Sequence, residues 1–289
     1  MALTPSTIPA LLARHGLRPS RALGQNFLAD ANTARRIARL AELHDGDRVL
    51  EIGPGIGSLT VALLETGASV TALELDRHVI PALEETVGVD AIRIVVGDAL
   101  RVDLADLLGP GTGDGDDTGD HDVRPWSMVS NLPYNVATPI VMRLLEAAPM
   151  VTSMLVMVQR EVGERIASGP GTKAYGAVSV KVAYYARAEV VGLVPPTVFI
   201  PAPKVESALV RIVRHPQPPV SVPSPDRLFA LVRAGFAQRR KMLRGALRAE
   251  LGTEVESVLE SAGIDGRARA ETLTLDQWAT LARVVGDAR

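Results

Sequence analysis

The chain has 289 residues, 47% of them hydrophobic and 22% charged, with a formal net charge of -2. These values exclude a wholly disordered polypeptide and leave room for one large domain with an appendage. Cysteine is absent, which excludes disulfides, thiolate metal sites and a cysteine nucleophile. The histidines at 15, 44, 78, 121 and 215 show no ligand spacing, so no metal is expected. No uninterrupted apolar run reaches the roughly 18 residues of a membrane span. The N-terminal stretch lacks a basic start followed by an apolar core, so a cytoplasmic protein is expected.

In chain order, a loose start with a short helix or turn precedes a helix over 31–43, where Ala34, Ile37, Ala38 and Leu40 recur at roughly helical spacing. A buried strand at 49–52 runs into a glycine turn. Helix 59–65, strand 70–75, helix 79–86 and strand 92–96 follow, the alternation expected of a parallel α/β sheet. Residues 109–124 are rich in Gly and Asp and read as an exposed insertion; they lack the residue order of a calcium loop. Strand 127–130, helix 138–147, strand 154–158 and a helix over 159–167 come next, and 177–184 fits helix or strand by pattern, with helix favoured. Strands at 190–194 and 207–213 then lead to a Pro-rich linker at 215–225. The remainder reads as helices 228–234, 240–251, 255–262 and 275–285, a small helical domain. The expected division is 1–215 and 216–289.

Four strand ends carry the chemistry. Glu51-Ile-Gly53-Pro-Gly55-Ile-Gly57 places a glycine turn between a buried strand and a helix, and Glu74 ends the next strand, 21 residues beyond Gly53. Together they suit a nucleoside-containing ligand, with Glu74 on the ribose hydroxyls. The turn departs from the dinucleotide pattern Gly-x-Gly-x-x-Gly, and the acid at Glu51 suits a cationic ligand better than a pyrophosphate. S-adenosylmethionine fits; a purely structural Glu51 is the rival reading. Asp98, in Gly97-Asp98-Ala99, is placed to accept a hydrogen bond from an adenine amine or is simply a solvated strand end.

Asn131-Leu132-Pro133-Tyr134 is the decisive element. A base amine is a poor nucleophile because its lone pair is delocalised into the ring. The Asn131 side-chain oxygen and the Leu132 carbonyl are acceptors for its N–H groups, and Tyr134 offers a stacking face. Phe199, in a Pro-rich loop, either covers the other face of the base or packs in the core. Arg21 to Leu28, with Gln25 and Asn26, is a candidate flap over the cofactor. Arg233, Arg239, Arg240, Lys241, Arg244 and Arg248 form a basic cluster. Residues 233, 240, 244 and 248 fall along one face of a helix, which suits a phosphate backbone, although charge runs are often only solvated surface.

On these residues the chain resembles the ribosomal RNA adenine dimethyltransferases, the KsgA/Erm superfamily. The matching stretches are GQNFL at 24–28, EIGPGIG at 51–57, ELD at 74–76, GDA at 97–99, NLPY at 131–134, QRE at 159–161, PPxxFxPxPKVxSA at 195–208 and FxQRRKxLR at 236–244. Lys173-Ala-Tyr-Gly176 resembles the small-subunit branch. The resemblance implies a Rossmann-like class I methyltransferase fold of seven strands with a reversed last strand, plus an all-helical C-terminal domain that helps dock RNA. It implies N6,N6-dimethylation, by S-adenosylmethionine, of two adjacent adenines in the 3′-terminal hairpin loop of 16S rRNA during assembly of the small ribosomal subunit.

Carried over residue by residue, Gln25, Asn26, Leu28, Glu51, Gly53, Gly55, Glu74, Leu75, Asp98, Ala99 and Asn131 border the cofactor. Asn131, Leu132, Pro133, Tyr134 and Phe199 serve the target base, and Arg21 with the C-terminal basic cluster faces RNA. A monomer is expected. The competing functions are a large-subunit adenine methylase conferring antibiotic resistance and an assembly factor that acts mainly by binding the immature small subunit.

Overall fold

A computed structural model describes residues 3–20, 24–109 and 124–286. The chain divides into two units, 1–163 with 189–214 and 164–188 with 215–289. In chain order the elements begin with α1 (Thr7–Arg14), β1 (Phe27–Leu28), α2 (Ala31–Leu40), β2 (Arg48–Ile52), α3 (Ser58–Leu64) and β3 (Ser69–Glu74). Next come α4 (Ile80–Val87), β4 (Arg93–Val96), α5 (Leu104–Leu108), β5 (Trp126–Asn131), α6 (Ala137–Ala147) and β6 (Val151–Gln159). After α7 (Arg160–Ala167) and α8 (Ala177–Tyr185) lie β7 (Ala186–Val194), β8 (Phe199–Ile200) and β9 (Ser207–Arg214). The chain continues through α9 (Pro225–Ala237), α10 (Leu243–Ala246), α11 (Arg248–Leu251), α12 (Val255–Ser261) and α13 (Leu275–Gly286).

The main sheet has seven strands in the order β4-β3-β2-β5-β6-β9-β7. β2, β3, β4, β5 and β6 pair in parallel, whereas β9 runs antiparallel to β6, the reversed strand expected from the sequence. All five residues of β2 are buried, because helices cover both faces of a parallel sheet and leave no solvent side to mark by alternation. Strand order reverses between β2 and β5, the position at which open α/β sheets leave a crevice beyond their carboxyl ends. A separate two-stranded ladder pairs Leu28 with Phe199 and Phe27 with Ile200. The prolines around Phe199 keep it out of the main sheet, and this short ladder is the alternative.

The second unit is helical, and its core includes Leu228, Phe229, Leu243, Leu259 and Trp278. Tyr175, Val180 and Tyr184 belong to the same core, so 164–188 is part of this unit, contrary to a simple division at 215. The Tyr175 hydroxyl donates to the Leu273 carbonyl at 2.9 Å, and Tyr184 meets Phe229 edge-on at 5.4 Å between ring centres. A second correction concerns 240–251, which is not one helix. After α9 the chain turns, with the Lys241 N–H donating to the Gln238 carbonyl at 2.8 Å. Helix α10 starts only at Leu243, where the N–H groups of Leu243 and Arg244 are taken by the carbonyls of Ala268 and Gly266. A tertiary loop thus displaces the helical start that the charge spacing suggested. The first predicted helix also ends early, at Leu40, with Glu42 at positive φ.

The Asp-rich stretch 110–123 lies outside the described residues, but its two feet are in view. Arg48 of β2 is 9% exposed, and its guanidinium donates to the carbonyls of Leu108, Gly109 and Arg124 at 3.2, 2.8 and 3.3 Å. It also lies over the Trp126 ring at 4.3 Å. One buried cation therefore ties both feet of the insertion to the sheet. Arg48→Ala removes three charge-assisted bonds, although the Leu108 carbonyl keeps the Trp126 indole N–H at 2.9 Å, and is expected to lower unfolding free energy by about 2–3 kcal/mol. Urea unfolding checks this; a loss under about 0.5 kcal/mol contradicts it.

Candidate active site

β2 and β5 pair only over Arg48–Leu50 and Trp126–Met128. Beyond that point they part, and the Ile52 N–H donates instead to the Ser130 hydroxyl at 2.8 Å. Ser130 is fully buried, so its side chain replaces the missing backbone partner where the strands separate. The opening is a cavity of about 230 Å³ lined by the ends of β2, β3, β4 and β5 together with residues 24–28.

Every described cofactor candidate read from the sequence lines this cavity: Gln25, Asn26, Leu28, Glu51, Gly53, Gly55, Glu74, Leu75, Asp98, Ala99 and Asn131. Leu132, Pro133 and Tyr134 line it too. Phe199 does not. It is 3% exposed and packs in a core cluster with Leu28, Val194 and Leu209, so the core-packing alternative describes its place. Through its ladder with Leu28 it holds β1, and so the 24–28 segment, against the first unit. Arg21 lies outside the described residues.

The glycine turn is shaped by its neighbours. Gly55 has φ of 57°, and a Cβ there would stand 3.1 Å from the Phe27 ring, so both conformation and space require glycine. Gly57 serves packing: its Cβ would meet Leu83 at 3.0 Å and Val87 at 3.1 Å on α4.

Of the four acidic residues that line the cavity, Glu51, Glu74, Asp76 and Asp98, the first two are buried. Glu74 accepts from the N–H groups of Gly55 at 3.1 Å and Asp76 at 2.9 Å, one on each oxygen. This fixes its plane and leaves lone pairs for further donors. Burial raises its pKa, against the opposing effect of those backbone donors. Glu51 is 1% exposed, and its Oε2 has no hydrogen-bond partner among the described residues. Burial pushes its pKa up to about 8; the neighbouring Thr60 hydroxyl opposes the shift and the Glu74 charge adds to it. An unpartnered buried acceptor on a cavity wall is a receptor for a donor or cation.

The Asn131 side of the cavity is equally constrained. The Asn131 side-chain NH2 donates to the Asn26 carbonyl at 3.2 Å, which leaves its Oδ1 as the free acceptor. The Leu132 N–H is taken by the Met157 carbonyl at 3.1 Å, and Val136 N–H donates to the Pro133 carbonyl at 3.1 Å. No hydrogen bond to the Leu132 carbonyl is seen among the described residues. Sequence reading missed several supports. Gln25 donates to the Asp76 carboxylate at 3.0 Å, fastening 24–28 to the end of β3. Arg143 of α6 donates to the carbonyls of Ala99 and Val102 at 2.7 and 2.5 Å, holding the loop after β4. Asp98 accepts from the Leu100 N–H at 2.9 Å.

In the helical unit Arg233, Arg240, Lys241, Arg244 and Arg248 are exposed. They do not share one helical face, since 238–241 is a turn. Arg239 pairs with Glu271 at 3.0 Å and donates to the Lys173 carbonyl, so part of its charge is spent within the unit. Among the described residues, no cluster of three or more His, Asp or Glu is arranged for a metal, and no helix is long and apolar enough to cross a membrane.

Comparison with known proteins places these features in context. A profile of the family described as ribosomal RNA adenine dimethylase matches residues 17–287. The ribosomal RNA small subunit methyltransferase A of Moorella thermoacetica is 44% identical over 286 residues, covering 98% of each chain. The protein of the same name from Magnetococcus marinus is 46% identical over 95% of each chain. Among solved structures, the 23S rRNA methyltransferase ErmE aligns with a TM-score of 0.66 and 28% identity, over 90% of this chain and 100% of its own. A dimethyladenosine transferase from Plasmodium falciparum shares the fold, with a TM-score of 0.71 and 22% identity over 88% and 95%.

The Glu51 environment gives a pH test that needs no ligand. Unfolded, its carboxyl ionises near 4.5; folded, it holds its proton up to about 8. Between those values the folded state binds the extra proton, so this group's contribution makes stability fall as pH rises, the loss being complete above about 8. Glu51→Gln is expected to exceed the wild type by on the order of 5 kcal/mol at about pH 9 and by much less at about pH 5. Equal thermal midpoints at the higher pH contradict the buried, raised carboxyl.

Proposed function

Because the chain belongs to the ribosomal RNA adenine dimethylase family, we infer that it methylates adenine N6 in small-subunit ribosomal RNA, with S-adenosylmethionine as donor. The observation that carries this reading is the orientation of Asn131. Its NH2 is held by the Asn26 carbonyl, so its oxygen is presented to the cavity as an acceptor.

The cavity suits the cofactor. Glu74 keeps lone pairs for two ribose hydroxyls, Asp98 and Leu75 stand at the strand end beside it for the adenine, and the unpartnered Glu51 oxygen suits the cationic end. When bound, S-adenosylmethionine supplies an electrophilic methyl group on a sulfonium. Gln25 and Asn26 close this side of the site.

Asn131 Oδ1 and the Leu132 carbonyl accept the two N–H groups of the target amine, which directs its lone pair away from the ring plane. Tyr134 stacks on the base, and Pro133 stiffens the turn between them. The amine's proton becomes acidic once nitrogen carries positive charge, so no strongly basic side chain is needed. Positioning and exclusion of water supply the rate. Extruding the base costs least from a hairpin loop, consistent with two adjacent adenines in the 3′-terminal hairpin of 16S rRNA as targets. The exposed basic residues 233, 240, 241, 244 and 248 bind the RNA backbone. The protein acts as a monomer in the cytoplasm.

Methyl transfer from labelled S-adenosylmethionine to small and large subunits lacking the modification tests this reading. Dimethyladenosine is expected at two adjacent small-subunit adenines and not in the large subunit. Asn131→Ala is expected to lower kcat about a hundredfold or more. The pair Arg240→Glu and Lys241→Glu is expected to raise KM for the subunit with kcat little changed, and to weaken the salt dependence of binding. Label confined to the large subunit would assign the resistance activity instead. Cofactor binding without transfer to either subunit would favour an assembly factor.

A further inference from the structure

The sequence stretch PPxxFxPxPKVxSA contains a serine that the functional reading leaves without a role. Ser207 is the first residue of β9, where the antiparallel ladder sets it opposite Gln159 of β6. Two residues before Gln159, Met157 pairs with Asn131 and its carbonyl accepts the Leu132 N–H. The start of β9 is thus carried by the same strand that holds the Asn131–Tyr134 turn. Ser207 is fully buried, so its hydroxyl has no water to turn to. Its partner is the Tyr134 hydroxyl at 2.6 Å, across 73 positions of sequence.

This bond decides where the Tyr134 ring lies. The backbone at 133–136 is fixed by its own turn, but a tyrosine on a turn keeps two rotatable side-chain bonds. Tying the phenol oxygen to a residue locked in the main sheet removes that freedom at the far end of the ring. Burial raises the Tyr134 pKa, so the hydroxyl stays protonated and able to take part in the bond throughout the neutral range. A base stacked on the ring then meets a plane set by β6 and β9 rather than by the loop.

We propose that Ser207 is a positioning residue for methyl transfer: by holding the Tyr134 hydroxyl it fixes the ring against which the target adenine lies. The inference rests on the functional reading above, in which Tyr134 stacks on the base. Ser207 touches neither cofactor nor base, so its loss acts on kcat through Tyr134 and leaves cofactor binding alone.

Ser207→Ala, Tyr134→Phe and the double variant form the test. Each single variant is expected to lower kcat for small-subunit methylation about five- to tenfold, the size of one lost neutral hydrogen bond. The dissociation constant for S-adenosylmethionine should stay within about twofold. The double variant is expected to be no slower than either single one, because both remove the same bond. A Ser207→Ala protein with wild-type kcat, or a double variant slowed by the product of the single effects, overturns the proposal. A second readout needs no RNA. The chain has four tyrosines, and 3-fluorotyrosine labelling gives a fluorine signal for each, that of Tyr134 identified by its loss in Tyr134→Phe. In Ser207→Ala this signal is expected to shift and broaden while the other three stay put; an unmoved signal overturns the proposal. If the wild type methylates no subunit while the fluorine signal moves as expected, the functional reading fails and the structural coupling stands.

Discussion

The parting of β2 from β5 is the constraint on which the site depends. Two parallel strands that stayed paired to their ends would leave no room between the glycine turn and Asn131. Here pairing stops at Leu50 and Met128, and the cost of an unpaired buried N–H at Ile52 is met by the Ser130 hydroxyl. The rims of that opening carry Glu51 and the glycine turn on one side and Asn131 to Tyr134 on the other.

The 24–28 segment joins the two rims. Gln25 binds Asp76 beyond β3, and the Asn26 carbonyl receives the Asn131 amide. The same few residues therefore line the cavity and fix which atom of Asn131 is left free to accept. The ladder between β1 and β8, with Phe199 in the core beneath it, keeps this segment in place. The buried carboxylates give the opening its electrostatic character: burial, with the Glu74 charge nearby, raises the Glu51 pKa and favours its protonated form.

Much of this was legible in the sequence because it is local. The alternation of buried strands and amphipathic helices marked the sheet, and each strand ends in a motif whose position in chain order fixes its place on the sheet edge. What escaped reading is long-range. The Ile52–Ser130, Gln25–Asp76 and Arg143–Ala99 bonds span 78, 51 and 44 positions, and no local pattern announces them. In the sequence Phe199 is open between pocket wall and core because a proline-flanked aromatic has no regular element to join, and a two-residue ladder buries it. The basic run at 239–244 has helical charge spacing, but backbone bonds to Gly266 and Ala268 interrupt it. Segment 164–188 follows the methyltransferase strands in sequence yet contributes Tyr175 and Tyr184 to the helical core, a placement set by apolar burial rather than by chain order.

A crystal structure of the protein with S-adenosylmethionine bound tests the central claim most directly. The cofactor is expected in the opening between β2 and β5, with its ribose hydroxyls on the Glu74 carboxylate and with the Asn131 amide still tied to the Asn26 carbonyl. A cofactor bound elsewhere, or an Asn131 side chain turned to present its NH2 to the cavity, would contradict the assignment of these strand ends as one site for cofactor and target amine.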